Sequence, residues 1–151
     1  MNWIEFFTSF FEDQKDPINR ILDAGGCREC WLQGEMYLHA EPEVLVTNAS
    51  PHKFDLSSDK YPMVAEIKIC GGDYQYKMTG LIEADVRKLK SAPQDREKYM
   101  ILVVDTRVVD TPLGKWLMTY KVDGDPPSQQ IPSTHFVAKI WKVAQHAPPA
   151  D

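Results

Sequence analysis

Met63-Val64-Ala65-Glu66-Ile67-Lys68-Ile69 reads as a strand with two unlike faces. In an extended chain Met63, Ala65, Ile67 and Ile69 point one way, and Val64, Glu66, Lys68 and Cys70 point the other. One face is wholly apolar. The other sets a carboxylate beside an ammonium, and burying such charges without partners costs several kcal/mol. By itself the triplet Glu66-Ile67-Lys68 fits two descriptions: a surface strand with an ion pair across one face, or a functional pair.

Working outward, two further strand-like runs precede it. Val44-Leu45-Val46-Thr47 is followed by a break at Pro51 and then by Lys53-Phe54-Asp55-Leu56, so three short strands in succession suggest an antiparallel meander. Downstream, Met78, Ile82, Val86 and Leu89 form a helical stripe that stops near Ser91-Ala92-Pro93, and the apolar run Tyr99 to Val104 follows. Strand, helix and buried strand in that order imply a parallel crossover. Alternation at Trp116, Met118, Tyr120 and Val122 predicts a strand over 115–122, and another is expected over 136–143.

Upstream lie helices. Asn2 with Glu5 resembles a capping box ahead of Trp3, Phe6, Phe7, Phe10 and Phe11, and a second helix starts at Asp16-Pro17 and stops at Gly25-Gly26. The aromatic stripe serves either the core or a subunit contact, and any homodimer is expected to form through it. Residues 27–40 fit both periodicities and lean helical. The expected architecture is α/β, in the broader sense α+β: a mixed central sheet flanked by helices.

With 151 residues, 43% of them apolar, the chain has the material for one core. A single domain over 1–145 is expected, with a frayed tail over 146–151. The net charge of -5 argues against a generally cationic nucleic-acid binder but leaves room for local basic patches. No segment has the length of a membrane span and the first residues lack signal-peptide character, so a cytoplasmic protein with no membrane partner is expected. Three cysteines argue against a disulfide framework.

Phe54-Asp55-Leu56, Met63 to Ile69 with its Glu66-Ile67-Lys68 triplet, and Gly80-Leu81-Ile82-Glu83-Ala84-Asp85-Val86-Arg87-Lys88-Leu89 together resemble the core of the PD-(D/E)xK nuclease superfamily. The resemblance covers residues 30–105 and implies a restriction-endonuclease-like core. Members place an aspartate on one strand and the acid-x-lysine triplet on the next, then cross by a helix to a buried strand. Carried over by residue, Asp55 and Glu66 hold Mg²⁺ or Mn²⁺ with the Ile67 backbone carbonyl, Lys68 orients or activates water, and Glu35 is the auxiliary acid on the helix before the sheet. One departure from the motif is Phe54, which stands where the nominal motif has proline.

The residue types suit phosphodiester hydrolysis, which needs a nucleophilic water and neutralised phosphoryl charge. A hard divalent ion asks for oxygen ligands and keeps several waters, so two carboxylates and a carbonyl suffice. Asp59, in the neighbouring Ser-Ser-Asp turn, competes with Asp55 for the first acid. Lys77, Arg87, Lys88 and Lys90, with Tyr76 in the preceding loop, are expected to meet nucleic acid, although a solvated helix face explains the same charges. Tyr74, Arg96 and Lys98 extend that group. Cys27 and Cys30 have knuckle spacing, and a zinc site would need His39 and His52 as well. The expected activity is a metal-dependent nuclease acting on DNA. The rival is a non-catalytic module on the same fold that binds protein or nucleic acid.

Overall fold

The computed structural model describes residues 1–25, 29–49, 53–71 and 77–144. Tyr76, with Tyr74, Cys27, His52 and the expected tail, lies outside the described residues. In chain order the elements are helices α1 (Trp3–Asp13), α2 (Lys15–Asp23) and α3 (Glu29–His39), then strands β1 (Val46–Ala49), β2 (Phe54–Ser58) and β3 (Met63–Cys70). Helix α4 (Met78–Lys90) crosses to β4 (Glu97–Asp105), and helix α5 (Pro112–Thr119) precedes β5 (Gln129–Pro132) and β6 (Phe136–Lys142). The six strands form one mixed sheet in the order β1-β2-β3-β4-β6-β5. Only β3 and β4 run parallel, as the intervening α4 crossover requires.

The two-faced reading of β3 organises the core. Met63, Ala65, Ile67 and Ile69 face α1, α2 and α3, while Val64 and Cys70 face α4 and α5. Each of the larger apolar side chains so buried, Met63, Val64, Ile67 and Ile69, contributes roughly 1.5–3 kcal/mol, and the two layers share the same central strands. Glu97, Asp105 and Lys142 fall on the face toward the first three helices, whereas Glu66, Lys68, Lys98 and Lys139 lie on the α4 and α5 side. Lys98 from β4 and Lys139 from β6 are buried there, each donating to the last carbonyls of a helix. Lys98 reaches Ala92 O at 2.9 Å, just past α4, and Lys139 reaches Leu117 O at 2.9 Å and Met118 O at 2.6 Å in α5. Helix ends leave such carbonyls without intrahelical partners, so a buried ammonium can be satisfied without a carboxylate.

One expectation is corrected, and burial decides between two alternatives for another. The alternating run over 115–122 is largely helical: Thr111 caps α5 by accepting from Gly114 N at 3.0 Å, Pro112 occupies the first turn, and Trp116 stacks on Tyr120 at helical spacing, centroids 4.6 Å apart. The aromatic stripe of α1 goes to the core, the first of its two alternatives, with Phe6 half-buried. Trp3, Phe7, Phe10 and Phe11 are 1% exposed or less, and Phe7 and Phe11 pack against Tyr99 and Phe136 of the chain's own sheet. The cap ahead of them is as expected, with Asn2 Oδ1 accepting from Glu5 N at 3.2 Å.

Candidate active site at the parting of two strands

The antiparallel ladder of β2 and β3 pairs Ser58 with Met63, Ser57 with Val64 and Leu56 with Ala65, then stops. The next step would set Asp55 opposite Glu66 and give the Ile67 N–H a partner in the backbone of β2. Instead the strands part, and the Asp55 carboxylate accepts from Ile67 N at 2.8 Å. Two residues on, Glu29 Oε1 at the start of α3 accepts from Ile69 N at 3.4 Å. Carboxylates thus take over the freed edge of β3, where unpaired buried amides would otherwise be costly. A strand residue directs its N–H and C=O to the same side, so the Ile67 carbonyl faces this gap as well.

Glu66 and Lys68 rise from the adjacent face toward α4. Glu66 is 2% exposed, and the Asp55 carboxyl is near enough to disfavour its ionisation. The two charges of the triplet do not pair with each other. Lys68 Nζ lies 3.0 Å from Asp85 Oδ2, and Lys88 Nζ lies 2.6 Å from Glu66 Oε1, so α4 supplies the partner of each. Neither contact is aligned as a hydrogen bond to those oxygens, which remain buried without one. The result is three carboxyl groups, Asp55, Glu66 and Asp85, interleaved with two ammonium groups, Lys68 and Lys88.

Electrostatics follow from crowding. Burial first, then the neighbouring Asp55 carboxyl, push Glu66 up to about 8, and the Lys88 contact opposes this without cancelling it. Burial works against the charged form of Lys68, yet the adjacent Asp85 carboxylate outweighs it and holds the ammonium above its usual value. Asp85 is also raised, because burial and the Asp55 charge exceed what Lys68 returns.

Asp55, Glu66, Lys68 and the Ile67 carbonyl therefore converge, and other expected residues do not. Glu35 lies six residues beyond Glu29 on α3, about 9 Å along the axis and on another side of the helix. The acid that α3 brings to the gap is Glu29. Asp59 is exposed and pairs with Arg96, so it is no substitute for Asp55. Of the basic group, Lys88 turns inward to Glu66, Lys90 pairs with Asp123, and Lys98 is buried against carbonyls. Lys77 and Arg87 stay exposed and make no ion pair with any described residue. Cys30 and His39 sit about 13 Å apart along α3, too far to share one zinc ion.

Asp85 escaped the sequence reading as a site residue, although its position carried a signal. It falls inside the Ile82, Val86, Leu89 stripe at helical spacing, where a carboxylate is out of place unless something compensates it. Among the described residues, no three His, Cys, Asp or Glu side chains are close enough to hold a metal between them. The donor set of two neighbouring carboxylates and one carbonyl on a strand edge is nevertheless the hard-oxygen chemistry that Mg²⁺ or Mn²⁺ takes, with water completing the shell. No family model matches the chain, and neither a curated protein nor a solved structure matches it.

Proposed function

We propose that the chain is a metal-dependent nuclease whose centre is the gap between β2 and β3, with DNA as substrate. One observation carries this reading: where the strands part, the carboxylates of Asp55 and Glu66 meet on the freed edge of β3 with Lys68 on the same face. A structural ion pair would not need a second carboxyl group close enough to push the Glu66 pKa up, an arrangement that a divalent cation relieves. The order of helix, three antiparallel strands, crossover helix and parallel strand is also what the PD-(D/E)xK resemblance implies.

Asp55 and Glu66 would hold Mg²⁺ or Mn²⁺ together with the Ile67 carbonyl. When bound, the ion would lower the pKa of a water and neutralise charge on the phosphoryl group. Lys68, kept charged and fixed in direction by Asp85, would hold the attacking water or the developing negative charge. Asp85 acts through Lys68 and is a positioning residue. Lys77, at the start of α4, and Arg87 are exposed cations available to a phosphate backbone. A cytoplasmic setting belongs to the same proposal.

A binding module without catalysis is the second reading, and it is favoured by the fact that both ammonium groups in the cluster already have carboxylate neighbours. Single-turnover cleavage of end-labelled DNA and RNA with Mg²⁺ or Mn²⁺ separates the two. The nuclease reading expects metal-dependent cleavage of DNA that Lys68→Ala abolishes while DNA affinity stays near wild type. Arg87→Ala should instead weaken binding and flatten its salt dependence. Full activity in a folded Lys68→Ala protein would remove the lysine's catalytic role, and binding without cleavage in the wild type would leave the module.

A further inference from the structure

The ammonium of Lys88 is held in an unusual way for a side chain on a solvent-facing helix. It lies 2.6 Å from Glu66 Oε1, donates to Lys53 O at 3.0 Å and sits 4.8 Å from the centroid of the Phe54 ring. Its partners are thus a buried carboxylate oxygen, a backbone carbonyl at the entry to β2 and an aromatic face, and the two oxygens are of the kind a hard cation takes. The Lys88 side chain is 37% exposed and that of Glu66 only 3%, so the lysine covers the carboxylate from the solvent side. Lys53 has φ +49°, a left-handed conformation uncommon for a residue with a Cβ, just before the carbonyl that meets Lys88. The backbone at this end of β2 is therefore shaped where it receives the ammonium.

We propose that Lys88 is a tethered cation that closes the Glu66 carboxylate in the metal-free protein, and that a divalent ion binds by displacing it. This rests on the metal-site reading of Asp55 and Glu66 given above. The ammonium and a divalent cation compete for one oxygen, so each must weaken the other's hold. Once displaced, the long side chain of Lys88 swings toward solvent on the same side of α4 as the entrance to the gap, where an anionic substrate would meet it.

The test is calorimetric titration of Mn²⁺, without nucleic acid, into the wild type, Lys88→Met, Arg87→Met and Glu66→Gln proteins. Methionine keeps the apolar stem of Lys88 and removes the charge, and Arg87 is an exposed cation beside it that controls for net charge. The proposal expects Lys88→Met to bind Mn²⁺ at least about tenfold more tightly than the wild type, with Arg87→Met changed far less. If Lys88→Met binds no more tightly than Arg87→Met, the tethered-cation role is overturned. Loss of binding in Glu66→Gln would then still support the metal site. If none of the four proteins binds Mn²⁺, the proposal and the metal reading fall together. Should Lys88→Met not fold, the wild type carries the same test. The Lys88 Cε resonance shifts on adding Mg²⁺ if the ammonium is displaced, and stays in place if it is not.

Discussion

Replacing Glu66 with glutamine in metal-free buffer should change how stability depends on pH, and the sign follows from the crowding at the strand gap. Folded Glu66 titrates near 8, raised by burial and by the Asp55 carboxyl, against 4.5 for an unperturbed glutamate. Below pH 4.5 the carboxyl is protonated in both states. Between 4.5 and about 8 the unfolded chain releases its proton while the folded protein keeps it, so stability falls as pH rises. At about 1.4 kcal/mol per pH unit the gap sets a ceiling of about 5 kcal/mol. The neighbouring Asp55 is only half-buried and its repulsion is screened by solvent, so roughly half of that ceiling is the expected effect. Asp85 is raised as well and adds to the fall. Asp105 and Glu97 are lowered, by Arg107 and by Lys142 respectively, and their contributions are lost at the acid end instead. Wild-type stability should therefore peak near pH 5. Urea unfolding followed by circular dichroism at pH 5, 6, 7 and 8 measures this. Glu66→Gln should flatten the fall, gaining about 2–3 kcal/mol on the wild type between pH 5 and pH 8. Parallel profiles for the two proteins, or a wild type that grows more stable from pH 5 to 8, would refute the reasoning.

Four further outcomes concern the frame that holds the site. A Cβ on Gly114 would lie 1.7 Å from Val108 O, so Gly114→Ala should cost about 3 kcal/mol or more in thermal unfolding, whereas Gly80→Ala in α4 meets nothing within 4 Å and should stabilise by about 0.5–1 kcal/mol. Phe7→Ala empties a fully buried position beside Tyr99 and should cost about 3–5 kcal/mol, without a change in sedimentation that loss of a dimer would bring. Lys139→Met leaves the Leu117 and Met118 carbonyls without their ammonium and should destabilise by about 1–3 kcal/mol; a stabilised variant would mean that desolvating the lysine outweighs its two hydrogen bonds.

The parts of the molecule that were legible in the sequence are those where one periodicity spoke alone. The alternation of β3, the stripe of α4 and the apolar run of β4 each repeat over a long segment, and together they imply the crossover that places Glu66 and Lys68 opposite a helix. Over 112–119 two signals competed. Trp116, Met118 and Tyr120 alternate, but Thr111 and Pro112 open a helix and the apolar residues also suit its spacing, so the cap decided. The short edge strand β5, with exposed Gln129 and Gln130, has too little apolar pattern to announce itself. In the site, Asp55 was legible through its distance from Glu66 along a hairpin. The exchange of partners was not, because Lys68 meeting Asp85 and Lys88 meeting Glu66 depend on the rotation of α4 over the sheet. The choice of Glu29 over Glu35 rests on the angle at which α3 approaches the end of β3, which local spacing does not encode.

Diffraction from crystals grown with Mn²⁺, recorded for its anomalous signal, tests most directly whether the strand gap is a metal centre. A metal centre there gives a peak about 2.1 Å from carboxylate oxygens of both Asp55 and Glu66 and from the Ile67 carbonyl. Well-ordered crystals at millimolar Mn²⁺ with no peak in the gap, and with the Asp55 carboxylate and the Lys88 ammonium still in their metal-free places, would contradict it.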